Sequence, residues 1–270
     1  LRLELAPVIA RAEAVDLAAH SRGSGILFIR ELDAVKAAAA EEGADQSALA
    51  HRLTDAWDLL EPAATSAAAA LDQSWVTASS ASWDGKRNAA ANGWAMFDGN
   101  TATFTDTTTK AGWVSVIPTD GTVFAVESIR FLPRSGSVSR TNNVSLQGSN
   151  DGGATWTTFA STGTAVAGWN TVTLTEPVRY EALRVSSGDG FMNFAELQFI
   201  ASAIDKTALA LYLTETAELA EADWTADSWA ALAAARETAQ TASDDKGATQ
   251  EAVDEAADAL AAAIEGLTKP

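Results

Sequence analysis

The sequence predicts a multidomain chain that is all-α at its ends and all-β in its middle: a central β-sandwich flanked by two three-helix bundles. Two observations carry this. Residues 1 to 62 and 206 to 267 are rich in Ala, Glu, Asp and Leu, whereas residues 73 to 202 hold the clusters of Thr, Val, Trp, Phe and Gly that form short strands. The apolar period changes in the same places: Val253, Ala257, Leu260, Ile264 and Leu267 recur at spacings of three and four, while the middle alternates in short runs between turn residues. The expected divisions are a helical bundle over 1–62, a linker over 63–72, the sandwich over 73–202 and a three-helix bundle over 203–270.

The first segment reads as a worn copy of the last. In "GADQSALAHRLTDAWDLL", Ala44, Gln46, Ala48 and Leu49 match Ala248, Gln250, Ala252 and Val253 of "GATQEAVDEAADALAAAI", and Leu60 falls on Ile264 at the same offset. An internal repeat flanking a different domain follows.

In the middle, "WVTASS", "GWVSVI", "TVFAVESIRFLP", "NVSLQGS", "TWTTFAS", "WNTVTL", "RYEALRVS" and "NFAELQFIA" are successive strand candidates separated by turn signals. That spacing predicts a sandwich with few or no helices. Within it "SNDGGATW", residues 149 to 156, has the spacing of the sialidase Asp-box. Ser149 and Asp151 can bond across a turn that Gly152 and Gly153 allow, with Trp156 returning into the core of the next strand. A sialidase needs several such boxes, an arginine triad and a Tyr nucleophile, and this chain has one box and two tyrosines, Tyr180 and Tyr212. The box therefore marks a hairpin.

In the last segment Leu209, Leu213 and Leu219 mark one helix, Trp229, Leu232 and Ala235 a second, and Thr249 is suited to cap the third. Short joints make this an antiparallel three-helix bundle that needs no ligand to explain its apolar residues. The stretch "EADWTADSWAALAAA", 221 to 235, resembles the FIVAR module ("found in various architectures"), which occurs in large secreted and wall-attached bacterial proteins. The first segment, 1–62, resembles the same module in degenerate form: it lacks the Ser-Trp of that pattern and has "GSGILFIREL" instead.

Composition limits the partners. A net charge of −18 and a pI near 4.3 leave no basic surface able to neutralise phosphates, so nucleic acid is not an expected partner and neither is an anionic membrane. No run approaches the roughly 20 apolar residues of a membrane span, so no membrane insertion is expected. Cysteine is absent, which removes thiol catalysis, zinc-thiolate sites and disulfides and suits an exported protein. A first residue Leu1 in place of Met fits a piece of a longer polypeptide.

The landmarks "FDGNTATF", "GWVSV", "IRFLPR", "SLQGSNDGGATWTTF", "RYEALRV" and "NFAELQF" occur in the order of the discoidin or coagulation factor five/eight type C family, which includes carbohydrate-binding module family thirty-two. The middle segment resembles that family over nearly its whole length, and the resemblance implies a discoidin-like jelly roll. It also implies structural calcium. By resemblance the ion is bound by the Asp98 and Glu196 carboxylates, the carbonyls of Phe97, Asn100 and Ala195, and Thr103 through carbonyl and hydroxyl. The residue types suit a hard cation, which takes six to eight oxygens from carboxylates and the backbone of a tight turn. The alternative is an Asx-turn at Asp98 and a Glu196 that faces solvent.

Sugar sites pair an aromatic face with Arg, Asn, Asp or His groups that bond hydroxyls. Candidates on expected loops are Trp83, Trp94, Arg134, Arg140, Asn142, Phe191 and Asn193, with Phe191 as the stacking platform and the two arginines as hydroxyl binders. The alternatives are Arg134 or Arg140 paired with an acidic neighbour, and Trp83 or Trp94 capping the core. Galactose-binding members of the family typically use a His here, and His20 and His51 both lie in the first helical segment. "TDTTT", "GDG" and the helical acids look like turns and solvated faces, so no catalytic carboxylate pair is expected.

The expected function is a non-catalytic accessory region of a secreted or cell-wall glycoside hydrolase: a calcium-stabilised sandwich that binds glycan, helical modules as spacers, and other domains of the parent protein as partners. The competing expectation is a structural or protein-interaction spacer that binds no sugar.

Overall fold

The computed structural model describes residues 3–270. They form two compact units, Leu1–Thr65 with Ile204–Pro270, and Ser66–Ala203. The composition divides the chain into three segments; the fold gathers its two helical ends into one unit.

The chain opens with α1 (Leu5–Glu13), α2 (Arg22–Ala39) and α3 (Gln46–Asp58), which share a core of Leu5, Phe28, Leu32, Val35, Leu49 and Leu53. Asp45 caps α3 by accepting from the backbone N–H groups of Ser47 and Ala48 at 3.1 and 3.0 Å. Such a cap satisfies two of the donors that a helix start leaves free.

The β unit contains β1 (Ala67–Ala68), β2 (Val76–Ala78), the short helix α4 (Ala89–Trp94), β3 (Thr105–Asp106), β4 (Trp113–Val116), β5 (Phe124–Pro133), β6 (Ser145–Ser149), β7 (Thr157–Ser161), β8 (Asn170–Tyr180), β9 (Ala182–Ser186) and β10 (Asn193–Ala201). One sheet has the order β1-β10-β5-β8, with β3 also on β10; the other runs β2-β4-β9-β6-β7. Every pairing is antiparallel. Ile129, Phe131, Phe194, Leu197 and Phe199 from the first sheet and Val114, Val116, Leu146, Leu183 and Val185 from the second form one core, which makes the unit a sandwich. Burial of each such side chain stabilises by about 1.5–3 kcal/mol.

Two residues show how tightly the sandwich is drawn. Gly148 lies so close to the Tyr180 ring that an added Cβ would fall 2.1 Å from it, so no larger residue fits there. Pro177 is tolerated inside β8 because that strand is at a sheet edge and needs fewer ladder donors.

The start of β10 decides where the loops meet. Asn193 and Phe194 pair with Asp106 and Thr105 of β3, Phe194 also pairs with Pro133 of β5, and the register then shifts between Phe194 and Glu196. Loops 107–112, 134–144 and 187–192 are thereby brought to one end of the sandwich.

The chain closes with α5 (Thr207–Ala217), α6 (Ala226–Asp244) and α7 (Gln250–Glu265), around Leu209, Tyr212, Leu232, Val253, Ala257 and Leu260. Thr249 caps α7 by accepting from Ala252 N–H at 3.1 Å, at the repeat position that Asp45 holds before α3. The two helical ends meet along α2 and α5. Gly23 permits it, because a Cβ there would fall 2.8 Å from the Thr207 backbone. Arg22 pairs with Asp254 and Asp258, and Arg30 with Glu215. These ion pairs are partly exposed, so each adds at most about 1 kcal/mol.

Candidate functional site

Six residues line a cavity of about 340 Å³ at the loop end of the sandwich: Trp83, Asp106, Thr107, Arg134, Arg140 and Phe191. Four of them, Trp83, Arg134, Arg140 and Phe191, are sugar candidates from the sequence. Trp83 is 68% exposed and meets Phe191 edge-on, with ring centroids 6.2 Å apart and planes at 87°. The two rings form an open aromatic corner. It does not cap the core.

Both arginines are held by aromatic faces. The Arg134 guanidinium lies 3.7 Å from the Phe104 ring centroid and that of Arg140 lies 5.7 Å from the Phe191 centroid. Among the described residues neither pairs with a carboxylate, so each keeps its N–H donors for something else.

The positions of these side chains follow from the loops that carry them. Ser187 Oγ donates to Gly190 O at 2.6 Å, and the Ala111 N–H donates to the same carbonyl at 3.1 Å, closing the loop just before Phe191. The Arg134 N–H donates to Asn193 O at 3.3 Å, tying the end of β5 to the start of β10. Arg140 stands on a 3-10 turn, Val138–Thr141, whose Thr141 carbonyl accepts from Thr162 Oγ1 at 2.5 Å.

Asp106 and Thr107 were not foreseen. "TDTTT" reads as a solvated turn, yet Asp106 is 8% exposed and its Oδ1 accepts from the Trp83 N–H at 2.9 Å. Oδ2 has no donor among the described residues. No local signal marks Asp106 or Thr107: β3 is two residues long and buries both Thr105 and Asp106.

The remaining sugar candidates are not among the lining residues. Trp94 ends α4 and packs with Phe97 against the sandwich core. Asn142 braces a loop by accepting from the Ala165 N–H at 2.8 Å. Asn193 is fully buried, and neither of its side-chain amide atoms has a partner. Trp156 also departs from expectation: Arg184 lies over its ring at 4.5 Å, on the face opposite the buried Leu183 and Val185, so it covers the outside of the sheet.

A second arrangement lies on the turn after α4. Gly99 has φ +74, which lets the chain reverse, and the Asn100 N–H donates to Asp98 Oδ1 at 2.8 Å as an Asx-turn. Thr103 Oγ1 contacts Asp98 Oδ2 at 2.7 Å and Asn100 O at 2.8 Å, so Asp98, Asn100 and Thr103 converge. Phe97 precedes them, its ring stacked on Phe199 at 6.1 Å, and Ala195 is buried beside Glu196.

Glu196 does not face solvent. It is 3% exposed, and its Oε1 has no partner. Burial, and secondly the charge of Asp98 beside it, push the Glu196 carboxyl up to about 7, against a weaker downward pull from the Gly99 and Asn100 backbone N–H groups. Two facing carboxylates with no cationic side chain are what a bound cation would relieve. Among the described residues no three His, Cys, Asp or Glu side chains gather as a metal cluster, so any ion held here takes its other oxygens from neutral groups.

The Ser149, Asp151 and Thr155 side chains of the box bond within it, and Asn150 Oδ1 accepts from the Glu181 N–H at 3.0 Å. Ser149 Oγ donates to Asp151 Oδ1 at 2.6 Å and accepts from the Gly153 N–H at 2.9 Å, while Thr155 donates to Asp151 through both N–H and Oγ1. These bonds pull the Asp151 carboxyl down to about 2, the Ser149 hydroxyl contributing most.

No family model matches this chain. A stretch of 66 residues, 24% of the chain, is 52% identical to a lacto-N-biosidase of Bifidobacterium longum subsp. longum, and the match spans 4% of that protein. Among solved structures, the family 32 carbohydrate-binding module from Clostridium perfringens NanJ, in complex with galactose, is 26% identical, with 50% of this chain and 97% of that chain covered and a TM-score of 0.38. An F5/8 type C domain of a Bacteroides fragilis protein is 15% identical, with coverage of 53% and 100% and a TM-score of 0.41.

Proposed function

We propose that the β unit is a non-catalytic glycan-binding module of a longer, extracellular glycoside hydrolase, and that the helical unit acts as a spacer. The observation that carries the reading is the cavity itself: an open Trp83–Phe191 corner beside two guanidinium groups that lack carboxylate partners and a carboxylate, Asp106, with a spare oxygen. A pyranose presents an apolar face and a rim of hydroxyls, which that combination matches.

Hydrolysis of a glycosidic bond uses two carboxyl groups across the scissile bond. Asp106 is the one carboxylate among the residues lining the cavity, which favours binding over cleavage. The short segment shared with a lacto-N-biosidase supports a hydrolase as parent.

Calcium belongs to the same proposal. Asp98, Glu196, Thr103 and the carbonyls of Phe97, Asn100 and Ala195 fit a hard cation by donor chemistry, and the orphaned Glu196 Oε1 supports it. The ion supplies the positive charge that the two carboxylates lack. The chain's own part is to hold Asp98 in its Asx-turn against the first half of β10, near the residues that carry Phe191 and Arg134.

Glycan binding is tested by calorimetry on hits from a glycan array. Phe191→Ala is expected to weaken binding on the order of 30-fold or more while leaving the melting temperature unchanged. A chain that binds no glycan on the array, with intact folding, makes it the spacer segment instead.

A further inference from the structure

Trp169 is an exposed aromatic that the cavity does not use. It is 41% exposed, and the Arg130 guanidinium lies 4.8 Å from its ring centroid. Arg130 is on β5 between the inward-facing Ile129 and Phe131, so its side chain and the Trp169 ring stand on the outer face of the sheet.

The loop that carries Trp169 is held with unusual completeness for an exposed turn. Asn170 Oδ1 accepts from the Val166 N–H at 2.9 Å, and its Nδ2 donates to Val166 O at 2.8 Å and to Gly168 O at 2.9 Å. Gly168, at φ +88, supplies the backbone reversal. The backbone that carries Trp169 is thus fixed, and its ring rests on Arg130 without being buried. The order of such a ring has already been set by the fold, so a ligand that lands on it loses little conformational freedom.

Its location links it to the cavity. Asn170 pairs with Phe131, three residues before Arg134, so the backbone beside Trp169 and that of the cavity-lining Arg134 are separated by about 10 Å along β5, roughly the length of two sugar rings. The Trp169 loop also leans on the segment that carries Arg140: Asn142 accepts from Ala165 N–H, and Asn143 N–H donates to Gly163 O at 2.8 Å.

From this we infer that Trp169, supported by Arg130, is a second sugar subsite, which takes a ring of a glycan chain whose end lies in the Trp83–Phe191 cavity. The inference rests on the glycan-binding reading. It adds a preference for chains of three or more rings, since a single ring cannot reach both surfaces.

The test is an array of galacto-, fuco- and N-acetylhexosamine-type glycans graded from one ring to five, probed with the full chain and with Trp169→Ala, Trp169→Phe and Phe191→Ala. Trp169→Ala is expected to lower affinity for the longer glycans on the order of tenfold and leave one-ring binding unchanged. Trp169→Phe should restore most of the loss, because a flat ring is kept. The inference is overturned if Trp169→Ala equals the parent chain at every length, or if it loses one-ring binding as well. Binding that disappears in Phe191→Ala but not in Trp169→Ala removes this subsite alone; a parent chain that binds nothing on the array removes the glycan reading with it.

Discussion

The cavity and the carboxylate turn both draw on the stretches 98–106 and 191–196, the cavity adding Trp83, Thr107, Arg134 and Arg140, and their electrostatics are opposite. At the cavity, the carboxylate from the first stretch, Asp106, accepts a backbone N–H, and two arginines stand nearby. At the turn, Asp98 from that stretch faces Glu196 from the second with no cationic side chain, and Glu196 is driven up to about 7. The difference lies in the neighbours: Arg134 and Arg140 line the cavity, whereas the side chain beside Glu196 is Asp98. One sheet junction can therefore present a neutral-to-cationic surface for a ligand and, a few residues on, an anionic notch for an ion that ties the two stretches together.

Three measurements bear on this contrast beyond the binding tests. The largest expected effect is the loss of calcium. With the ion at about 100 times its Kd, chelation should remove about 2.7 kcal/mol and lower the melting temperature of the β unit on the order of 5–10 °C. Glu196→Gln should abolish the response to both calcium and chelator. A melting curve unchanged by chelation would show that the turn is held without an ion.

A second, smaller effect is the pH dependence of the calcium-free protein. Glu196 holds its proton up to about 7 in the fold, against 4.5 ordinarily. Between those values the unfolded chain has released a proton that the folded chain keeps, so stability falls as pH rises through the window and levels off above it. The slope should vanish in Glu196→Gln and on adding calcium. A flat profile in chelator would mean that Glu196 is not under that strain.

The smallest effect belongs to the box, which lies apart from both sites in sequence and whose Asp151 is held by bonds from Ser149 and Thr155. Asp151, lowered to about 2 from 3.8, contributes stability that is complete above 3.8 and is lost as pH falls through about 2. Asp151→Asn should lower the melting temperature at neutral pH on the order of 2 °C and leave glycan affinity unchanged. If affinity fell with it, the box would be coupled to the cavity after all.

Much of the site was legible from residue types on turns. Phe191 just after two turn glycines, Arg134 and Arg140 in a loop, and Asp98 followed by Gly99 are local signals, and the structure gathers the first three around one cavity. Trp94 and Asn142 lie outside the cavity lining, because whether a loop residue faces a cavity or a core depends on what packs against it. Asp106 was missed for the same reason: a carboxylate among threonines looks solvated until Trp83 folds over it.

What the sequence by itself determined is the material of each segment: helical periods at both ends, short strands between, the capping residues Asp45 and Thr249, and a box turn in which Ser149, Asp151, Gly153 and Thr155 bond one another. Those features depend on neighbours at most a few positions apart, which the order of residues specifies directly. Only the tertiary structure decided that the two helical ends close into one unit through Gly23 and Arg22, that Glu196 is buried against Asp98, and that Trp83, Phe191, Arg134 and Arg140 share one cavity. Those depend on contacts between residues that are remote in the chain, and it is strand register and helix packing that bring them together.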